Sequence, residues 1–413
     1  MKTNKFRILT LILTVFAMSV VVRAQCSDES PIEKIAPQAT QVSGATDVIF
    51  SPSGKSVIVQ LSWGFYVLPT EKLDDADAGF EESRYPCLEG WAKGFLPSEK
   101  IVFAGRRGLY TMEPATKKTE PIYQITAAEE ENGNYLIDGE MVLVSENLIV
   151  SGDGDYDLGL KKGNILRFDV ERRSASRRAE IRGFQNPMLS PGGRYILYEH
   201  NGENGGNADF YDLAADRNYP LAGRFNFKRV FPEYKLTFER PIAWISPSRF
   251  LAEVVENQSA PGAESAEEAE LSTERWLVLF DAETGKLVWK RQANAEMLPP
   301  YFHQLSATKA LALAGGDIYE ISLSDGKSRR IVSDFHGNSF SVSPDKKQLA
   351  YFSAGHLYTA SVDRKNEKSV FDLPADWKSV SAYKDKGAQP PVWSPDGRRL
   401  IIFDEKRVIF IKL

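Results

Sequence analysis

Short apolar runs recur along the whole chain, and polar turns separate them. The clearest unit is the last one, where the apolar step Pro391–Trp393 leads into the turn Ser394–Gly397 and then into the apolar run Leu400–Phe403. In this Ser-Pro-Asp-Gly turn, proline presets φ and glycine accepts a positive φ, so the chain reverses between two strands. The run after the turn does not alternate with polar residues, which predicts a strand covered on both faces.

Similar turns recur at intervals of 37 to 60 residues. Most keep the serine, and the weaker ones lose the proline or the glycine. This spacing is close to the roughly 40 to 50 residues that form one four-stranded blade of a propeller. The serines that mark the eight units are Ser51, Ser98, Ser145, Ser190, Ser246, Ser306, Ser343 and Ser394.

The repeats predict an all-β fold, a single β-propeller of four-stranded antiparallel blades. Eight blades are expected, and seven is the alternative if the weak unit at Ser145 or Ser306 merges with its neighbour. The last unit ends at Leu413 after only three strands. We therefore expect an N-terminal strand, Pro31–Ala36, to complete the last blade and close the ring without an open edge.

The turns and the strands that follow them, such as Asp209–Leu213 and Gly316–Glu320, resemble the WD40-like repeats of TolB-type proteins and of prolyl-oligopeptidase propellers. This resemblance covers the chain after its N-terminal segment and implies the fold without an activity. One unit, Phe280–Trp289, is similar to the repeat of quinoprotein propellers. A single copy among eight does not imply a quinone cofactor.

The N-terminus is typical of a secretory signal. Basic residues precede the apolar run Ile8–Val22, and the segment ends in Val22-Arg23-Ala24. We predict a signal peptide over residues 1–24, a propeller domain over 25–413, and a periplasmic or secreted protein. A membrane anchor is the alternative, although about fifteen apolar residues are few for a span of roughly 20.

Charge and cysteine content narrow the partners. The formal net charge is −5, and cleavage of the signal would remove four bases and no acid to give −9. This balance disfavours nucleic acid and anionic membrane surfaces as partners, and we expect a monomer. Cys26 and Cys87 predict a disulfide in an oxidising compartment. The alternative is a buried thiol at Cys87 and a terminal thiol at Cys26.

Long loops concentrate on one face of three adjacent blades. The connections between the second and third strands are long in blades three, four and five, at Gly152–Gly163, Asn201–Ala208 and Glu256–Glu274. Because function concentrates on loops held by a rigid scaffold, this face is the predicted working surface. The acidic composition of residues 256–274 predicts a disordered flap.

The connection between blades four and five interleaves bases with aromatic residues. One interpretation is a partner-binding patch, in which the rings provide contact area and the cations provide orientation. The other is that the rings pack onto blades four and five while the bases face water. The candidate partner-binding residues are Arg224, Phe225, Phe227, Lys228, Arg229, Phe231 and Tyr234.

Two weaker patterns suggest metal sites. Asp153, Asp155 and Asp157 alternate as in a calcium loop, but Leu158 and Asn164 stand where an EF-hand-type loop needs Gly and Glu. An Asp/Gly-rich hairpin loop is the alternative. Histidines also map to the loop-rich face, and some propeller lyases resemble this arrangement in gathering histidines at the axis. The candidate axial ligands are His303, His336 and His356.

The chain lacks a Gly-x-Ser-x-Gly nucleophile elbow, a phosphate-binding glycine loop and paired Cys-x-x-Cys motifs. We therefore predict a non-catalytic propeller with no cofactor, Ca²⁺ being the one candidate. It would bind a protein or glycan partner through the loop-rich face of blades three to five. The alternative is an enzyme, a metal-dependent polysaccharide lyase or a glycoside-acting hydrolase, with its site at the axial mouth.

Overall fold

The structure is a computed structural model that describes most of the chain from residue 32 onward. The predicted signal segment lies outside the described residues, as do Cys26, Asp155, Asp157, Tyr234 and His336. The described ranges are 32–62, 64–74, 87–127, 140–153, 163–181, 183–202, 205–231, 235–258, 272–293, 302–333, 335, 339–363, 365–377, 389–404 and 407–413.

Two short strands precede the first blade, and each of the first four blades then contributes four consecutive strands. The two preceding strands are β1 (Ile32–Ala36) and β2 (Ala39–Ser43). Blade one consists of β3 (Ala45–Phe50), β4 (Ser56–Leu61), β5 (Gly64–Pro69) and β6 (Leu88–Glu89), and blade two of β7 (Trp91–Phe95), β8 (Ile101–Gly105), β9 (Gly108–Met112) and β10 (Thr119–Gln124). Blade three consists of β11 (Met141–Ser145), β12 (Leu148–Asp153), β13 (Gly163–Asp169) and β14 (Ser174–Ile181), and blade four of β15 (Gln185–Leu189), β16 (Tyr195–Gly202), β17 (Gly205–Asp212) and β18 (Arg217–Pro220).

Blades five to seven repeat the pattern, and the last blade takes three strands from the C-terminus. The strands are, for blade five, β19 (Lys235–Trp244), β20 (Arg249–Gln258), β21 (Ser272–Asp281) and β22 (Lys286–Gln292); for blade six, β23 (Phe302–Gln304), β24 (Lys309–Ala314), β25 (Asp317–Ser322) and β26 (Ser328–Val332); for blade seven, β27 (Phe340–Val342), β28 (Gln348–Ser353), β29 (His356–Ser361) and β30 (Lys368–Asp372); and for blade eight, β31 (Val392–Trp393), β32 (Arg399–Asp404) and β33 (Arg407–Lys412).

The described strands thus form eight antiparallel sheets, and the prediction of an eight-bladed propeller is confirmed. The first strands of neighbouring blades contact each other, for example β3 with β7 and β27 with β31. The first strand of each blade is therefore the innermost. The turns after first and third strands share what we call the lower face. The connections after second and fourth strands share the upper face.

An N-terminal strand closes the ring, as predicted, but the strand that pairs with the C-terminus is β2. It pairs with β33 from Ala39 opposite Ile411 to Ser43 opposite Arg407. Strand β1, the segment expected to fill this place, pairs with β2 and adds a fifth strand outside it. Burial explains the choice, because Val42 is fully buried between blades eight and one whereas Ile35 is exposed.

The Ser-Pro turns satisfy their own polar groups and link neighbouring blades. The Ser394 hydroxyl donates to Asp396 Oδ1 at 2.6 Å and accepts the backbone N–H of Arg399 at 2.9 Å. Glu99 of blade two accepts hydrogen bonds from the backbone N–H and the hydroxyl of Ser53 in blade one, at 2.8 and 3.1 Å. Because each turn is anchored in this way, the lower face is regular around this part of the ring.

Helical structure is sparse among the described residues. A 3₁₀ helix spans Thr70–Asp74, and two single-turn α-helices, α1 (Leu221–Arg224) and α2 (Phe227–Val230), follow blade four. In the described part of the chain, no helix has both the length and the apolar character needed to cross a membrane.

Candidate functional site

The second and third strands of blades four and five extend beyond those of the other blades on the upper face. These strands have eight residues in blade four and ten in blade five, against five to seven elsewhere. At about 3.3 Å per residue, four additional residues carry the blade-five hairpin about 13 Å beyond a six-residue blade. We call this extension the crest. It comprises residues 199–202, 205–208, 235–240, 254–258 and 272–276.

The crest is a joint structure of two blades. Strands β20 and β21 stay in register from Arg249 opposite Asp281 to Gln258 opposite Ser272. The inner strand β19 packs against β16 and β17 of blade four. The crest therefore consists of two antiparallel hairpins that pack against each other. A single loop would lack this mutual support.

The fourth strands of these blades do not follow the crest upward. Strand β18 pairs with β17 only from Asp209 to Asp212, and β22 pairs with β21 only from Trp276 to Asp281. Within the described ranges, no fourth strand therefore pairs with the outer edges at residues 205–208 and 272–273. Such edges present backbone donors and acceptors that can pair with another chain.

Two charged contacts fix the base of the crest. Glu253, which is 1 % exposed, pairs with Arg275 across strands β20 and β21 at 3.1 Å. Lys290 donates to the carbonyl of Val230 at 2.9 Å and lies 4.6 Å from the ring centroids of both Phe231 and Trp276. Because a buried carboxylate needs its partner in place, the first contact holds the crest strands together.

The basic and aromatic segment after blade four packs into the seam between blades four and five. The rings of Phe225, Phe227 and Phe231 are buried, and the Phe225 centroid lies 4.4 Å from that of Phe280. Arg224 donates to the carbonyls of Ala282 and Glu283, at 3.3 and 3.2 Å, in a lower-face turn. The aromatic rings thus belong to the interblade core in this structure.

The structure leaves the predicted partner-binding role of this segment untested. Arg229 is exposed, whereas only the backbone of Lys228 is described and Tyr234 lies outside the described residues. Burial of three phenylalanines explains the composition of the segment without a partner.

The candidate metal ligands are only partly described. Asp153 ends β12 opposite Asn164, and Asp155 and Asp157 lie outside the described residues. His303, on the inner strand β23, has Nε2 2.8 Å from the Phe340 carbonyl, whereas His356, on the third strand β29, has Nδ1 2.7 Å from Asp372 Oδ1. Among the described residues, no group of three or more His, Cys, Asp or Glu side chains could hold a metal. Both metal sites stay predictions.

Cys87 lies directly before β6 and packs against the core between blades eight and one. Cys26 lies outside the described residues. The disulfide therefore also stays a prediction.

A pair of carboxylates that the sequence did not single out meets at the upper inner ends of blades three and four. Glu140 directly precedes the inner strand β11. Asn186, in the inner strand β15, donates from its side-chain amide to Glu199 Oε2 at 3.1 Å and from its backbone N–H to Glu140. Packing around its carboxyl raises the pKa of Glu140, the Asn186 hydrogen bond opposes this, and the nearby Glu199 raises the pKa further.

A bulge in β15 makes this arrangement possible. The pairing of β15 with β16 shifts between Gln185 and Met188, and Asn186 has a φ of +48°. A bulge redirects side chains locally, and asparagine tolerates the left-handed region better than most residues. The dipeptide Asn186-Pro187 is the only sequence signal for this site, and it is typical of turns in general.

Comparisons with known proteins support the fold. No protein-family model matches the chain, and no curated protein matches its sequence. Among solved structures, the chain is similar to the Dos1 propeller, with 9 % identity over 91 % of this chain and 94 % of that one and a TM-score of 0.52. The protein has an eight-bladed β-propeller fold.

Two further solved structures show the same likeness at similarly low identity. The Porphyromonas gingivalis dipeptidyl peptidase 4 is 9 % identical over 87 % of this chain and 56 % of that one, with a TM-score of 0.51. An oligogalacturonate lyase from Vibrio parahaemolyticus is 9 % identical over 91 % of this chain and 93 % of that one, with a TM-score of 0.47. At 9 % identity, the likeness to the Dos1 propeller and to the peptidase supports the fold and no activity.

Proposed function

We propose that the chain is an exported, non-catalytic β-propeller that binds a protein partner through the upper face of blades three to five. The crest is the observation that carries this proposal. It is the largest departure from the blade repeat among the described residues, and it stands on the face where the sequence also places its longest loops.

The uncovered strand edges favour a protein over a glycan as the partner. In the part of the chain that the structure describes, residues 205–208 and 272–273 leave a strand edge outside the blade pairing. A partner strand can add to such an edge through main-chain hydrogen bonds, with side chains then giving specificity. The paired Glu253 and Arg275 at the base keep these edges in position before the partner arrives, which lowers the entropy lost on binding.

Trimming the crest tests the proposal. Val255 and Arg275 are paired across β20 and β21, so a two-residue Asn-Gly turn can replace residues 256–274 and keep the strand register. The trimmed variant should fold with a nearly unchanged thermal midpoint and lose its partner in a pull-down from the native source. Recovery of the same proteins by the trimmed and the parent chain would contradict the proposal.

Lys327→Ala combined with Lys365→Ala is a control on the opposite face. Both lysines are exposed in turns after third strands, on the lower face. The control should retain the partner that the trimmed variant loses. Loss of the partner in both variants would point away from the crest.

We propose as a second candidate a glycoside-acting hydrolase that uses Glu140 and Glu199, because the structure brings these two carboxylates to one place at the axial mouth. Glycoside hydrolysis needs one protonated and one ionised carboxyl group. Glu140, with its raised pKa, would be the acid, and Glu199, which accepts a hydrogen bond from Asn186, would be the second carboxyl group.

Glu140→Gln tests this candidate through stability as well as activity. A carboxyl whose pKa is raised by folding stabilises the fold below its ordinary pKa and loses that contribution as pH rises through the raised value. The variant should therefore unfold at a slightly higher temperature than the parent near pH 7 and at the same temperature near pH 3. If the parent hydrolyses a polysaccharide in a panel screen, Glu140→Gln should reduce the rate more than 100-fold. No hydrolysis by the parent would remove the candidate.

A metal-dependent lyase is the other enzyme that the sequence suggests, with His303, His336 and His356 as its candidate ligands. Metal analysis of the purified protein distinguishes it from the binding proposal. A stoichiometric transition metal that His303→Ala removes would contradict a non-catalytic function. A metal-free protein that still captures its partner would support that function.

A further inference from the structure

The inner strand of blade seven is polar on the side that faces blade eight. Phe340 and Val342 pack in the core shared with blade six. Because side chains alternate along a strand, Ser341 points to the opposite side, and Ser339, which directly precedes the strand, stands at the same alternating position. Ser341 is also paired with Ala350, which lies in the core shared with blade eight. Both serines therefore face the seam between blades seven and eight.

Three other blades carry an apolar residue on the corresponding side of their inner strands, whereas blade six carries His303, whose Nε2 lies 2.8 Å from the Phe340 carbonyl of the next blade. Ile49 of blade one, Val142 of blade three and Met188 of blade four pack in the cores shared with the following blades. The two serines depart from both cases, because His303 is hydrogen-bonded whereas their hydroxyls have no partner among the described residues.

Three polar atoms in this seam have no hydrogen-bond partner within the described part of the chain. They are the hydroxyls of Ser339 and Ser341 and the indole N–H of Trp393, in residues that are 0 %, 7 % and 9 % exposed. Trp393 lies in the same core cluster as Ala350, and its strand β31 is next to β27. Buried polar groups are almost always hydrogen-bonded, so three in one seam indicate an occupant.

We propose that ordered water occupies the inner end of the seam between blades seven and eight and hydrogen bonds to Ser339, Ser341 and Trp393. The three groups are neutral, which disfavours an ion as occupant. Their small exposed fractions leave no access for a larger ligand. Hydroxyls both donate and accept while the indole N–H donates, and a buried water typically makes about three such bonds. This seam, beside the blade that closes the ring, is therefore joined through water.

A high-resolution crystal structure of the whole protein tests the proposal directly. The expected result is a water peak about 2.7 to 3.2 Å from Trp393 Nε1 and within the same distance of at least one serine hydroxyl. A dry seam, or density for a side chain or a larger ligand at this place, would overturn it.

Tryptophan-to-phenylalanine variants provide an independent measurement with matched controls. Trp244 and Trp289 are each 8 % exposed, and their indole N–H groups donate to the carbonyls of Met188 and Leu323 at 2.9 and 3.1 Å. If water accepts the Trp393 hydrogen bond, Trp393→Phe should lower the denaturation midpoint about as much as the two control substitutions, since each loses one hydrogen bond and the same ring volume. A clearly smaller loss, or a gain, would mean that Trp393→Phe removes an unpaired donor, and it would overturn the proposal.

Discussion

The two faces of the propeller are built in different ways. On the lower face, related turns recur, and serine and acidic side chains satisfy the turn backbone and reach the neighbouring blade, as Glu99 does to Ser53. On the upper face, the blades differ, and the strands of blades four and five rise into the crest. A contact that repeats around a ring supports the ring. An extension that the described residues show on two of the eight blades is free to serve another purpose.

The largest expected effect comes from opening the ring, on which both faces depend. Deletion of residues 32–43 removes β2 with the fully buried Val42, whereas deletion of residues 32–36 removes only the outermost strand. The longer deletion should cost about 5 kcal/mol, comparable to the total stability of many domains, and the shorter one about 1 kcal/mol or less. Chemical denaturation of both variants measures the difference.

Equal losses in the two deletions would contradict the assignment of β2 as the closing strand. Deletion of residues 32–36 could also lower stability more than the further deletion of residues 37–43 does. That result would assign the closing role to β1.

The next largest effect distinguishes residues that pack in the core from residues that could bind a partner, in the segment after blade four. Phe225→Ala should cost about 3 to 5 kcal/mol, because the ring is 3 % exposed among Phe210, Phe250 and Phe280. Arg229→Ala, at an exposed position of the same segment, should change stability by less than about 0.5 kcal/mol. Thermal unfolding followed by circular dichroism compares the two. A stable Phe225→Ala variant that no longer captures a partner would favour the partner-binding interpretation.

The smallest effect concerns the lower-face turns. Glu99→Ala removes the acceptor for Ser53 and should cost about 1 kcal/mol or less, because the contact is exposed to solvent. Burial opposes the shift, but hydrogen bonds from Ser51 and Ser53 hold the pKa of Glu99 below its ordinary 4.5. A carboxyl group whose pKa is lowered by folding stabilises the fold at pH values above its ordinary pKa. This contribution to stability is lost as the pH falls through the lowered pKa.

The difference between Glu99→Ala and the parent should therefore be present near pH 7 and vanish in strong acid. Glu171→Ala, in an exposed turn of blade three, is the control and should show no such difference. Urea denaturation at both pH values measures it, and a loss that persists unchanged at low pH would argue against the charged hydrogen bonds.

The blade repeat could be predicted because it is local. Each Ser-Pro turn and its flanking apolar runs lie within one stretch of sequence, so blade number, strand order and closure by the N-terminus follow from pattern alone. The crest was predicted in part. Loop length marks blades three to five, but the ten-residue strands β19, β20 and β21 depend on pairing that loop length does not show.

The sequence by itself thus determined a closed ring of eight blades and the face on which it varies. Only the tertiary structure decided that β2 closes the ring, that Phe225 and its neighbours fill a seam, that Glu140 meets Glu199, and that two serines face Trp393 across another seam. These contacts join residues of different blades or depend on how completely each is buried. Turn and strand patterns act within one blade, whereas side-chain packing between blades is fixed only when the ring closes.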